Sequence, residues 1–191
     1  METRPTSDRL RETLFNVIAA RIAGARFVDL FAGSGAVGIE AISRGAERVW
    51  FVENAVPAAK AIRANLTALK IGAGYSLEER TAMAALEGMV KRNEKLDIIF
   101  LDPPYESQPD YARTLEFLGS ERGGALLRDD ARVIAEHRAK EKLAERYGKL
   151  ERVRVLKQGD AALSFYAAKR KEEVSGIVDE ADAVTDSDTG I

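Results

Sequence analysis

The chain of 191 residues has no cysteine, which removes disulfides, thiolate metal sites and cysteine nucleophiles from consideration. It has one histidine, His137, so a histidine-rich metal centre or a serine–histidine hydrolase would have to be built on that residue. His137 closes the apolar stretch "ARVIAEH" and reads as an ordinary strand-end histidine; no metal is expected. No apolar run is long enough to span a bilayer and no signal-peptide pattern stands at Met1, so the expected location is cytoplasmic, with no membrane partner. No internal repeat is present.

What remains is a composition of 46% hydrophobic and 31% charged residues, enough apolar material for one globular domain with a real core. The net charge of −2 conceals an asymmetry. Residues 171–191 carry seven acids and one base, whereas residues 1–170 hold 28 basic residues against 24 acidic ones. The expectation is a folded domain over 1–170 and an acidic, disordered tail over 171–191. The mildly basic body is compatible with a nucleic-acid partner without requiring one.

The spacing of Leu10, Leu14, Val17 and Ile18 predicts an N-terminal helix, with Thr6 or Ser7 as its cap. "RFVDLFA" reads as a buried strand, followed by a glycine turn over Gly33 to Gly38 and a helix through about Ser43. "RVWFVEN" is a second strand, and "PAAKAIRANLTALK" a helix with proline in its first turn. "YSLEERT", "KLDIIFLD" and "ARVIAEH" supply strands three to five. "LERVRVLKQGDAALSFYAA" supplies two more around a Gly159-Asp160 turn, a closing hairpin. Strands alternating with helices predict an α/β fold with a mostly parallel seven-stranded sheet covered on both faces. Such sheets bind ligands beyond the carboxyl ends of their strands, where the strand order reverses. If strands one and four are neighbours there, the glycine turn and the segment after Leu101 face one pocket.

"DLFAGSGAVGIE" contains a complete G-x-G-x-x-G, and Glu53 closes the second strand 20 residues after Gly33, where a carboxylate can grip both ribose hydroxyls of an adenosine. Alone, the pattern fits dinucleotides. Asp29, just before the turn, would repel a pyrophosphate but suits a ligand bearing an ammonium and a sulfonium, as S-adenosylmethionine (SAM) does. Gly33 and Gly35 would let that ligand approach the backbone.

The second informative segment is Asp102-Pro103-Pro104-Tyr105. An exocyclic amine of a nucleobase is a poor nucleophile because its lone pair is delocalised into the ring. With Asp102 and the Pro103 carbonyl each accepting one N–H, the nitrogen can pyramidalise and aim its lone pair at a methyl group. The prolines fix the carbonyl, and Tyr105 offers a face on which a splayed base can stack.

With "RPTSDRLRETLFN", "DLFAGSGAVGIEAISRGA", "FLDPPY" and "GDAALSFY", the chain over about residues 3 to 168 resembles the bacterial 16S ribosomal RNA guanine-N2 methyltransferases. The resemblance implies a class I SAM-dependent methyltransferase fold, of Rossmann-like type. It also implies methyl transfer to a guanine of 16S rRNA, in a partly or fully assembled small ribosomal subunit. It assigns SAM to Asp29, Gly33, Gly35 and Glu53, and the target base to Asp102, Pro103 and Tyr105. Thr6 and Arg9 fall in a segment that packs beside the cofactor pocket in related enzymes.

This chain departs from the family pattern twice. Family members usually have a basic stretch before "RPTSDR", whereas Met1 stands three residues before Arg4; reduced RNA affinity is the expectation. Relatives also often place an acid after the third strand to touch the adenine amine. Here Thr81 holds that position, with Glu78 and Glu79 slightly early, so the adenine contact falls to a backbone amide and Ala82. Competing readings are an adenine or cytosine amino-methyltransferase, a nicotinamide dehydrogenase, and a non-catalytic SAM-binding assembly factor.

Overall fold

The computed structural model describes residues 5–104 and 108–169. The chain opens with helices α1 (Pro5–Val17) and α2 (Ala19–Ile22), strand β1 (Arg26–Asp29), helix α3 (Ala36–Ser43) and strand β2 (Arg48–Val52). Helix α4 (Val56–Ala68), strand β3 (Tyr75–Glu78), helix α5 (Ala82–Lys91) and strand β4 (Leu96–Leu101) follow. The second half holds helices α6 (Gln108–Gly119) and α7 (Glu121–Gly124), then strands β5 (Leu127–Arg138), β6 (Arg146–Tyr147), β7 (Leu150–Gln158) and β8 (Ala161–Ala168).

Among the described residues, eight strands form one sheet in the order β3-β2-β1-β4-β5-β8-β7-β6. The first five are parallel and the last three antiparallel. The expected count of seven is therefore corrected to eight. The extra strand is the pair Arg146–Tyr147 against Glu151 and Leu150, too short to show a two-residue period. The closing hairpin is present, with Gly159 at φ +58° in its turn.

Alternation along the strands sorts the core into two layers. Phe27, Phe51, Ile98, Phe100 and Ile134 face α1, α3 and α4, packing on Leu14, Phe15 and Ile62. Val28, Trp50, Ile99 and Val133 face the opposite way, onto Leu86 and Met89 of α5 and Tyr111, Leu115 and Leu118 of α6. Large residues fill both layers, so each face of the sheet is dry and the ligand space is confined to the strand ends.

Two local expectations change. Helix α1 begins at Pro5, with proline in the position where a missing N–H costs nothing. Thr6 and Ser7 thus stand within its first turn, and their side chains, on which the expected cap rests, lie outside what is described. Strand β5 is longer than "ARVIAEH": Leu96 pairs with Leu127 and Ile98 with Arg132, so the extra residues of β5 bulge out between these pairs. The tail over 171–191 and Tyr105 lie outside the described residues.

Candidate active site

β1 and β4 are hydrogen-bonded neighbours, with Asp29 level with Phe100. The strand order reverses there, since β2 lies on one side of the pair and β5 on the other. The glycine turn after β1 and the proline segment after β4 therefore open at the same end of the sheet. They wall one cavity of about 380 Å³, bordered by Gly33, Glu53, Asp102 and Pro103, within the range of roughly 300–1,000 Å³ typical of small-ligand sites. A smaller cavity of about 150 Å³ shares Phe31, Glu53, Asn54 and Asp110 with it and continues to Thr81 and Ala82.

The three glycines of the turn do different things. Gly33 has φ +54°, and a Cβ there would meet no protein atom within 4 Å; this is the glycine that borders the cavity. Gly35, at φ +81°, directs its missing Cβ toward Ile62 Cγ1 at 3.2 Å and Phe51 Cε1 at 3.3 Å, and its N–H donates to Ala32 O at 2.6 Å. Gly35 thus shapes the turn from the core side. A Cβ on Gly38 would lie 2.2 Å from the Phe51 ring, so that glycine serves the close approach of α3 to β2.

Two carboxylates hold the turn. Glu53 accepts from Gly33 N at 2.9 Å through one oxygen and from Ala55 N at 2.7 Å through the other. Each oxygen keeps a lone pair toward the cavity for a hydroxyl donor. Asp29 is 2% exposed and accepts from Gly38 N at 3.0 Å, which ties α3 to the strand beneath it.

At the border of the smaller cavity, Thr81 caps α5, its hydroxyl oxygen accepting from Ala84 N at 3.3 Å. Glu78 pairs with Arg80, which borders the smaller cavity, and with Arg92, and Glu79 pairs with Arg63, so both acids are engaged by arginines. Arg9 is exposed and lies one turn before Thr13, which reaches Gln158 at 2.9 Å. Gln158 ends β7, so this part of α1 overhangs the carboxyl edge of the sheet. Nothing is described of the Thr6 side chain. His137 is 4% exposed. Its Nδ1 donates to the Arg138 carbonyl at 2.9 Å, which leaves Nε2 to accept from Ser164 Oγ at 2.9 Å. Burial lowers its pKa, and this pairing makes it a core histidine.

The cavity also includes residues that motif reading passes over. Asp110, Arg113 and Thr114 come from α6, a helix legible in principle from Tyr111, Leu115 and Leu118 at helical spacing. Glu136, on β5, is not among the residues bordering the two cavities and belongs to no motif.

Burial makes the acids reluctant to ionise. Desolvation, opposed by the Gly38 N–H and reinforced by Asp102 and Glu53, raises the Asp29 pKa to about 7. Desolvation raises Asp102 as well, and Glu136 is raised by burial and by the charges of Asp102 and Asp29. A folded carboxyl with a raised pKa keeps a proton that the unfolded chain has lost. Its contribution to stability is complete below the ordinary carboxylate range and is lost as pH rises through its folded pKa, about 7 for Asp29. A cationic ligand reverses that preference by favouring the ionised acids. Binding of a cation at pH 7 is therefore expected to release protons and to tighten between pH 6 and 8. Calorimetry of SAM binding in phosphate and in Tris measures this directly, because protons taken up by the buffer add its heat of ionisation; identical observed heats in the two buffers would contradict it.

Comparisons with known proteins agree with the architecture. The Bacillus subtilis (strain 168) protein YlbH, provisionally named an rRNA methyltransferase, is 37% identical over 164 residues, 86% of this chain and 87% of its own. Ribosomal RNA small subunit methyltransferase D of Escherichia coli (strain K12) is 38% identical over 102 residues, 53% of this chain and 50% of its own. A solved Escherichia coli structure, provisionally named methyltransferase yhhF, superposes with a TM-score of 0.74 at 30% identity, covering 87% of this chain and 89% of that one. The model of the family described as Conserved hypothetical protein 95 matches residues 1–167, and the chain belongs to that family.

Proposed function

We propose that this protein transfers a methyl group from SAM to the exocyclic N2 amine of a guanine in 16S ribosomal RNA. One observation carries the reading: the glycine turn and Asp102-Pro103 border a single cavity, which brings a nucleoside-binding turn and an amine-accepting segment together. The names of the relatives, one of them a small-subunit rRNA methyltransferase, supply the RNA and its subunit.

The residues fit this cofactor. The open side of Gly33 gives a ligand access to the backbone. Glu53 retains lone pairs for ribose hydroxyls, and the second cavity past Thr81 and Ala82 extends toward where an adenine would follow. Buried acids with raised pKa values suit a ligand carrying positive charge. When bound, SAM supplies an electrophilic methyl on a sulfonium. Asp102 and the Pro103 carbonyl accept the two N–H bonds of the acceptor amine, which holds the nitrogen pyramidal with its lone pair free. No base need act first, because the nitrogen becomes acidic once alkylated and Asp102 stands ready to take the proton. Catalysis is then mainly positioning in a water-poor site.

The substrate is proposed to be the assembled or partly assembled small subunit. The body charge is modest and affinity for naked RNA rests on phosphate contacts, so a folded particle presenting one splayed base supplies what charge does not. Methyl transfer from labelled SAM, compared on naked 16S rRNA and on small subunits from a strain lacking this protein, tests the reading. The expected product is N2-methylguanine, formed faster on the particle. Label in adenine or cytosine would overturn the base assignment, and no transfer to either acceptor would favour a non-catalytic SAM-binding protein.

A further inference from the structure

Leu101 and Ala135 are the last paired residues of β4 and β5. One step beyond them stand Asp102 and Glu136, on adjacent strands at a spacing of about 4.8 Å. Phe100 and Ile134 are also a register pair and face the α1 layer. Residues two positions further on share that face, so the carboxyl groups of Asp102 and Glu136 lie side by side. Tyr111 donates its hydroxyl to the Glu136 carbonyl at 2.6 Å, which anchors the backbone at the strand end. No hydrogen bond or ion pair engages the Glu136 carboxyl among the described residues, although the residue is half-buried. The cofactor cavity borders Gly33 and Glu53 and so lies on the β1–β2 side of Asp102; Glu136 stands on the other side. An acceptor base that reaches Asp102 without displacing the cofactor comes from the Glu136 side.

We propose that Glu136 reads the ring N1–H of the acceptor guanine while Asp102 and the Pro103 carbonyl hold its exocyclic amine. This rests on the methyltransferase reading and adds what Asp102 alone does not provide, a choice among bases. In guanine the amine is flanked by a ring N–H donor. In adenine and cytosine the equivalent amine is flanked by a ring nitrogen with a lone pair. An ionised carboxylate beside Asp102 therefore accepts a hydrogen bond from guanine and repels the other two. Burial and neighbouring acids raise the pKa of the free Glu136 carboxyl. Both a cation in the adjoining cavity and an N1–H donor favour its ionised, accepting form.

The experiment uses small subunits reconstituted with either guanosine or 2,6-diaminopurine riboside at the mapped acceptor nucleotide. The analogue keeps the 2-amine but replaces the N1–H by a lone pair and the 6-oxo group by an amine, so the part of the preference owed to N1 is read from the difference between wild type and Glu136→Gln. The wild-type enzyme is expected to prefer guanine in kcat/KM by roughly 5- to 150-fold, the cost of facing a buried acceptor with no donor. Glu136→Gln can turn an amide N–H toward the analogue's N1, so its preference should fall toward parity while SAM affinity is unchanged. A wild-type preference near one, or a Glu136→Gln preference equal to wild type, would overturn the proposal. Should Glu136→Gln fail to fold, Glu136→Ala carries the same comparison. Failure of the wild type to methylate guanine on the particle would instead remove the methyltransferase reading, and this inference with it.

Discussion

Asp102→Ala is expected to bind SAM about as well as wild type and to methylate roughly a hundredfold more slowly or worse, as for a lost positioning group in a closed site. The side chain stands one residue beyond β4 and borders the cavity shared with Gly33 and Glu53. In the proposed mechanism its carboxyl group is one of two acceptors that hold the amine. Removing it leaves the base free to rotate and its lone pair conjugated with the ring. Asp102→Asn should fall between, because its amide retains an acceptor oxygen but brings an N–H that the amine cannot use.

Loss of activity through unfolding can be separated from this. Burial disfavours the Asp102 charge, so deleting the carboxyl removes an unfavourable ionisation and relieves Glu136 and Asp29 of a like-charged neighbour. Thermal stability of Asp102→Ala at pH 8 should accordingly equal or exceed that of wild type. Near-normal turnover in a folded Asp102→Ala protein would remove the amine-holding mechanism and leave the cofactor cavity standing.

The parts legible in the sequence are those where local chemistry and register coincide. A strand ending in Asp29, a turn needing left-handed glycines and a strand ending at two prolines each carry a local signature. The expected adjacency of strands one and four is present in the β1–β4 pairing. What escaped depends on long-range contact. Glu136 becomes noticeable only when β5 pairs with β4, since an acid near the end of an apolar run is by itself unremarkable. The two-residue β6 exists because Tyr147 and Gly148 pack on Gly119, where a Cβ would stand 1.8 Å from the Tyr147 carbonyl. Asp29 and Glu53 were legible as acids beside the turn; only Glu53 is among the residues bordering the two cavities, and hydrogen bonds to Gly38 and Gly33 show that both acids hold the turn. Residue identity reveals that an acid is present; only the fold shows how many of its lone pairs are already committed.

The same distinction separates two glycines that the motif treats alike, and a pair of substitutions is expected to split them. Gly33→Ala places a methyl on the open side of the turn, where no protein atom lies within 4 Å, and so into the cavity. It carries the left-handed penalty of about 1–2 kcal/mol, modest against a typical domain stability of roughly 5–15 kcal/mol. The protein should remain folded, while SAM binds at least tenfold more weakly. Gly35→Val acts on the opposite side. Its Cβ starts 3.2 Å from Ile62 Cγ1 and 3.3 Å from Phe51 Cε1, and two further methyls must enter a packed layer. The same left-handed penalty adds to an overpacking cost of about 1–3 kcal/mol, and a β-branched residue is a poor occupant of that conformation. A loss of roughly 2–5 kcal/mol is the expectation from these terms together. Urea denaturation of both variants, with SAM titrations of whatever remains folded, provides the check. A Gly35→Val protein of wild-type stability that no longer binds SAM would place the ligand against Gly35 and the core side of the turn, contrary to the packing seen here.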